Sequence, residues 1–379
     1  MLLSKNAKER LTAWWEHRDM DRPCFNLSVS DGTTEPEEEV GVERYWTDVD
    51  GMIRRMMRRI DHTRYLCEAV PAHYVDFGST PLAACLGGEL ELRDKVTTWN
   101  IPFLEVTEDP EDFTFRLPLE RILSLKLDED NRWWRLIKEA TKRSAALGHD
   151  HHYTAYPSLS GGMDILAALI GGESLMYVLE DDPESVIEAQ KHILNLWEKA
   201  FRQLGAIIDT AGNDGYVGGW PGVWSPGRSY PLQEDFSCMI SPDAFEELCI
   251  PFIDARARMM EWGYYHLDGP DAARKCRQAL CGLSSIQVIQ WETGAGNERI
   301  DQWYDLIRSI LAAGKSMHVS VFSKVEKAAG RTLNQAVDSL IREVGAKGLL
   351  INVICDSDEE AYRFMEAHKL DEGEWRINI

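Results

Sequence analysis

Gly263-Tyr-Tyr-His-Leu-Asp-Gly-Pro270 decides how the chain is read. Its apolar and aromatic run predicts a short buried strand that stops at Gly269-Pro270. The ten residues 271–280 then predict a helix. Residues i and i+2 of a strand face the same side, so His266 and Asp268 project together from the strand's C-terminal end. A polar pair at the head of a βα unit stands where parallel α/β proteins hold their chemistry.

Working outward, the same unit recurs. Downstream, strand 286–291 precedes helix 300–313, strand 316–321 precedes helix 332–345, and strand 348–354 precedes helix 357–369. Upstream, residues 24–30 alternate as a strand, 49–68 have helical spacing, and 73–77 read as a strand. Helix 131–147 and strand 153–156 follow, then a long helix 183–210, and strand 232–236 before a helix capped by Ser241. About eight such units predict an α/β fold: a single (β/α)8 TIM barrel over residues 1–379, with 1–120 an elaborated N-terminal portion. No G-x-G-x-x-G follows an early strand and no G-x-x-x-x-G-K-[ST] occurs, which argues against an open nucleotide-binding sheet.

Composition narrows the function. With 44% apolar and 27% charged residues the chain reads as a soluble globular protein. No run approaches the roughly 18 apolar residues of a membrane span. The formal charge of −22 argues against a general nucleic-acid binder, which must neutralise phosphates. Lys5, Lys8, Glu9 and Arg10 interrupt the N-terminus, so the expectation is no signal peptide and a cytoplasmic address. Eight cysteines without a C-x-x-C are expected to be reduced and mostly core. Several of the 13 tryptophans fall in Gly/Pro-rich loops, above all in Gly218-Gly-Trp-Pro-Gly-Val-Trp-Ser-Pro-Gly-Arg228. Over a barrel mouth, that loop would offer Trp220 and Trp224 as apolar walls and Arg228 to an anion; the alternative is a rigid crossover packed by its own tryptophans.

Residues at the expected strand ends are Asp76, Tyr156, Asp235 with Ser237, His266 with Asp268, Gln290 with Trp291 and Glu292, and Cys355 with Asp356. His266, Asp268 and Cys355 form an N/O/S set of the kind zinc accepts. Asp235, Asp76 and Glu292 are the candidate acid/base groups; Tyr156, Trp220, Trp224, Arg228, Ser237, Gln290 and Trp291 are the candidate substrate contacts. Each has a plainer role open to it: His266 as a hydrogen-bonded structural group, Asp268 as a turn residue or helix cap, Cys355 as core, and Asp235 and Ser237 as supports for the Ser241 helix start. His149-Asp-His-His152 is a further metal candidate that also reads as a solvated loop.

Tyr265-His-Leu-Asp-Gly-Pro270 followed by Ile286-Gln-Val-Ile-Gln-Trp291 resembles the uroporphyrinogen decarboxylase superfamily. So does Asp235-Phe-Ser-Cys-Met-Ile-Ser-Pro-Asp-Ala-Phe245 with Pro251. Trp14-Trp-Glu-His-Arg-Asp-Met-Asp-Arg-Pro23 is similar to the opening of a bacterial branch of that family. The resemblance implies a (β/α)8 barrel and two candidate chemistries. One branch comprises zinc-dependent, corrinoid-linked methyltransferases, which carry His-x-Cys at one strand end and a Cys near the last strand. Here His266 stands with Asp268 in place of the first Cys, and Cys355 falls in the place of the second. This implies a metal-dependent enzyme moving a methyl group between a corrinoid carrier and a small thiol or oxygen substrate, with Asp235 or Glu292 as a fourth ligand. The corrinoid would sit on a separate protein, since no D-x-H-x-x-G segment occurs. The alternative branch is a cofactor-free decarboxylase or lyase acting on a small carboxylate, with Asp76 or Asp235 as acid/base and Arg228 on the carboxylate. Its arginine-rich N-terminal segment is matched here only by Arg18 and Arg22, in a different pattern. A third expectation is a non-catalytic barrel binding a corrinoid or a metabolite. The oligomeric state stays open.

Overall fold

Apolar runs bounded by turn residues form the strands β1 (Cys24–Ser30), β2 (Thr63–Cys67), β3 (Ala72–Tyr74), β4 (Tyr153–Ala155), β5 (Ser229–Leu232), β6 (Trp262–Asp268), β7 (Val288–Glu292), β8 (Ser316–Phe322) and β9 (Leu349–Ile354) in a computed structural model that describes residues 2–30, 39–111 and 113–370. The helices that matter below are α1 (Lys5–Trp15), α2 (Val49–Asp61), α3 (Arg132–Gly148), α4 (Gly162–Ile170), α5 (Pro183–Ile208), α6 (Ile250–Ala257), α7 (Gly269–Gly282), α8 (Tyr304–Ala312), α9 (Leu333–Val344) and α10 (Asp358–Ala367).

A seven-stranded sheet runs β5-β6-β7-β8-β9-β1-β2. Every neighbouring pair in it is parallel except β2, which lies antiparallel to β1. Parallel neighbours need crossovers, and α7, α8 and α9 supply them between β6 and β9. Strands covered on both faces read as continuous apolar runs, and β7 (Val-Ile-Gln-Trp-Glu) has its first four residues buried. The terminal α10 lays Phe364 edge-on against Phe25 of β1, ring centres 5.3 Å apart. The α/β class and the βα alternation are therefore as the sequence predicts. No single described helix is long and apolar enough to cross a membrane.

Three expectations change. Helical spacing over 49–68 conceals a break: α2 ends at Asp61, and Thr63-Arg-Tyr-Leu-Cys67 pairs with β1 from Ser30↔Thr63 to Asn26↔Cys67. β-branched and aromatic residues favour that pleated edge. With β2 on the edge of β1, β3 and β4 form a parallel pair of their own. Among the described residues the hydrogen-bonded ladder is thus a sheet with two ends, and a closed eight-stranded barrel is not shown. Finally, the strand expected at 232–236 ends at Leu232, and Asp235–Met239 forms a 3-10 turn.

The N-terminal helix α1 closes the end of the sheet where the strands begin. Trp14 and Trp15 are almost wholly buried, and Trp14 Nε1 donates to the carbonyl of Met317 at the start of β8. Trp15 packs on Trp262 and Tyr264 at the start of β6 and donates to the carbonyl of Trp224. The strand C-termini remain for the site. Trp14→Ala removes one of these two plugs and leaves a cavity, so it is expected to lower unfolding free energy in urea by ~3–5 kcal/mol. A loss below ~1 kcal/mol would show that α1 is not a packed part of the core.

Candidate functional site

At the end of β6, His266 and Asp268 share a face as the strand period requires. Gly269, with φ of +76°, turns the chain directly into α7. Asp268 sits at the N-cap of α7 but makes no capping hydrogen bond, so its carboxylate stays available. Gln290 lies opposite His266 in the β6–β7 register. Its Oε1 accepts from His266 Nδ1 at 2.9 Å, which places the proton on Nδ1 and leaves Nε2 as the open lone pair. Burial lowers the His266 pKa, opposed by Gln290 and by the Asp268 and Asp164 charges, so the neutral ring is favoured. The Trp220 indole covers it edge-on at 5.3 Å.

Asp235 completes the cluster: ligand atoms of Asp235, His266 and Asp268 all lie within 4.8 Å of one another. Its placement is indirect. The neighbouring Glu234 is fully buried, accepts from the backbone N–H groups of Gly162 and Met163 at 3.0 Å each, and is ion-paired with buried Arg256 of α6. A helix N-terminus is a natural seat for a carboxylate. Gly161 must be glycine, because a Cβ there would come within 2.2 Å of the Glu234 carboxyl. From the same turn of α4, Asp164 accepts from the N–H of Phe236 at 2.8 Å and of Asp235 at 3.2 Å. These bonds curl residues 235–239 into a turn instead of continuing β5.

The result is a crowd of carboxylates. The Asp235 pKa rises well above the usual range through desolvation and the charges of Asp164, Asp268 and Glu234. Glu292, opposite Asp268 in register, is raised by desolvation and by Asp268.

The other sequence candidates scatter. Cys355 is not in the cluster. Between β6 and β9 stand β7 and β8, three strand spacings or roughly 14 Å along the sheet. Its thiol lies half-buried near Glu360, Asp356 and Lys327, pushed up to about 12 chiefly by burial. Trp291 points to the opposite face from Gln290 and packs on Trp303 at 5.0 Å. Trp224 belongs to the plugged end beside Trp15. Arg228 is occupied, bidentate to Asp209 (2.9 and 3.1 Å) and bonded to the Tyr156 hydroxyl at 2.6 Å. Tyr156 is itself buried against Phe201. Ser237 is buried in the turn that follows Asp235. Asp76 lines a separate cavity with Arg55 and Arg59. In the histidine cluster, His152 is buried on Ser144 and His151 is bonded to Asp61, so it is a structural knot.

Sequence reasoning missed Asp164, Glu234, Arg256 and His318. The signal for the first three was Ser160-Gly-Gly162 opening an apolar helix, a backbone nest for an anion. His318 sits in one row with His266 and Gln290, fully buried, its Nδ1 bonded to Tyr264 at 2.6 Å and its Nε2 without a partner among the described residues.

No family model matches the chain, and no curated protein matches it in sequence. Among solved structures it is similar to a methyltransferase from Methanosarcina mazei, with a TM-score of 0.57 and 14% identity, over 95% of this chain and 97% of that one. The likeness is one of fold.

Because Glu234 and Arg256 are both desolvated, breaking the pair strands a charge. Arg256→Met is expected to cost ~3–5 kcal/mol in urea unfolding. A cost below ~1 kcal/mol would contradict the buried clamp.

Proposed function

We propose that the chain is a zinc-dependent, methyltransferase-like enzyme of the uroporphyrinogen decarboxylase superfamily, on a barrel of the (β/α)8 type. The observation that carries this is the convergence of Asp235, His266 and Asp268 at the strand C-termini. One neutral imidazole and two carboxylates within 4.8 Å suit a divalent ion. The surrounding Asp164, Glu234 and Glu292 make that ion a favourable counter-charge. The fold shared with a methyltransferase over nearly all of both chains supports the reaction class.

His266 would ligate through Nε2, and Asp235 and Asp268 through one oxygen each, with Cys355 outside the set. Two carboxylates make the donor set harder than one containing thiolate. Zinc bound there would supply Lewis-acid activation of a small thiol or alcohol. Gln290 fixes the His266 ring and tautomer. Trp220 shields the ring from water. Glu292, its pKa raised by desolvation and by Asp268, is the group that would accept a proton from the substrate. The methyl donor is a corrinoid held on a separate protein. In the lyase alternative Arg228 is not the carboxylate anchor, since Asp209 already pairs with it.

Protein purified without added metal is expected to carry about one zinc per chain by mass spectrometry, and His266→Ala less than a tenth of that. Methyl transfer from methylcobalamin to a small thiol should stop on chelation and return with zinc. Full metal content in His266→Ala, or turnover that survives chelation, would rule the proposal out.

A further inference from the structure

A cavity of about 260 Å³ opens on the free side of β3, bounded by α2 and α3. That is slightly below the roughly 300–1,000 Å³ of drug-sized sites, so it suits a small metabolite. Its walls divide by chemistry. Met52, Met56, Tyr45 and Trp46 are apolar or aromatic, while Arg55, Arg59, His73 and Asp76 are polar.

The two arginines are one helical turn apart on α2, so both present to one side. Arg55 is held in place: its guanidinium stacks on the Tyr45 ring at 4.0 Å and donates from NH2 to the Tyr45 carbonyl at 2.7 Å. Among the described residues, no ion pair or side-chain hydrogen bond engages Arg59. That is notable in a chain with 63 acidic and 41 basic residues. Across the cavity, Asp76 is spent on the N–H of Gly78 at 2.8 Å and makes no ion pair with Arg59. His73, on the same wall, is 6% exposed with a buried Nδ1 that has no partner among the described residues. Desolvation first, then His152 and Arg59, push its pKa down to about 3, so it is a neutral ring that adds no competing positive charge.

We infer that this cavity is a binding site for a small organic acid, its carboxylate held by the Arg59 and Arg55 guanidiniums and its body lying on Met52, Met56 and Tyr45. Guanidinium forks match a carboxylate bidentately; Arg55 is half-buried, which strengthens its pairing, and Arg59 is exposed at the cavity mouth, where an incoming acid meets it first. Among the described residues, Trp220 links the cavity to the Asp235, His266 and Asp268 cluster, its ring 6.2 Å from Tyr74 of the cavity wall and 5.3 Å from His266. The site therefore stands whether or not a metal binds.

The test is calorimetric titration of the full chain with acetate, benzoate, succinate and glycine betaine, with benzamide and inorganic phosphate as controls. At least one carboxylate should bind saturably, benzamide should not, and phosphate should bind more weakly. Arg59→Gln and Arg55→Gln should each weaken binding roughly ten- to a hundredfold, the range of a lost charged hydrogen bond. Circular dichroism of both variants should match the parent, and Arg363→Gln on exposed α10 and His266→Ala should bind as the parent does. No binding by any of the four acids, equal binding by phosphate, or unchanged binding in the Arg55→Gln/Arg59→Gln double variant would overturn the inference. So would binding lost in His266→Ala and kept in Arg59→Gln, which would move the ligand to the metal cluster.

Discussion

The buried ion pair between Glu234 and Arg256 is the constraint on which the site depends. Its side chains are 0% and 2% exposed, so each charge has given up its hydration. A pair this deep persists only when other bonds complete its shell. Glu234 has two backbone N–H groups and the positive end of α4; Arg256 has the carbonyls of Ser160 and Phe252. The next residue along is Asp235. A loop that would otherwise wander over the strand ends is thereby pinned within one residue of the chemistry, and Asp164 adds two further bonds to its backbone. The same principle acts at the opposite end, where Trp14 and Trp15 of α1 fill the space under the strands and leave only the C-terminal ends open.

Charge is segregated on this scaffold. Asp164, Glu234, Asp235, Asp268 and Glu292 gather at these strand ends, with Arg256 paired to Glu234, and desolvation together with the neighbouring negative charges raises the Asp235 and Glu292 pKa values. Such a surplus is relieved by protons or by a cation. On the far side of Trp220 and Tyr74, the α2 arginines line a cavity in which the one carboxylate among the described residues, Asp76, is already bonded to Gly78. In the proposed reading one compartment takes a cation and the other an anion, with Trp220 and Tyr74 between them.

What could be read from sequence follows from which forces are local. The His266/Asp268 pair was legible because strand period and a Gly-Pro stop are properties of adjacent residues. Asp235 was found at a supposed strand end, yet a hydrogen bond to Asp164, 71 residues away, turned that segment into a 3-10 turn. The β2 strand hid inside a helical pattern because its partner, β1, lies more than 30 residues earlier. Cys355 shows the sharper limit: a strand end tells which end of the sheet a residue occupies, while its neighbours are set by the ladder order. Arg228 looked free for an anion because nothing local reveals that Asp209 claims it. Trp291 could have been excluded, since simple alternation puts it on the opposite face from Gln290.

Zinc K-edge X-ray absorption on the zinc-loaded protein reads the donor atoms themselves. Nitrogen and oxygen alone are expected at about 2.0–2.2 Å from the zinc, supplied by His266, Asp235 and Asp268. A sulfur scatterer at about 2.3 Å would contradict it, placing a cysteine such as Cys355 on the metal.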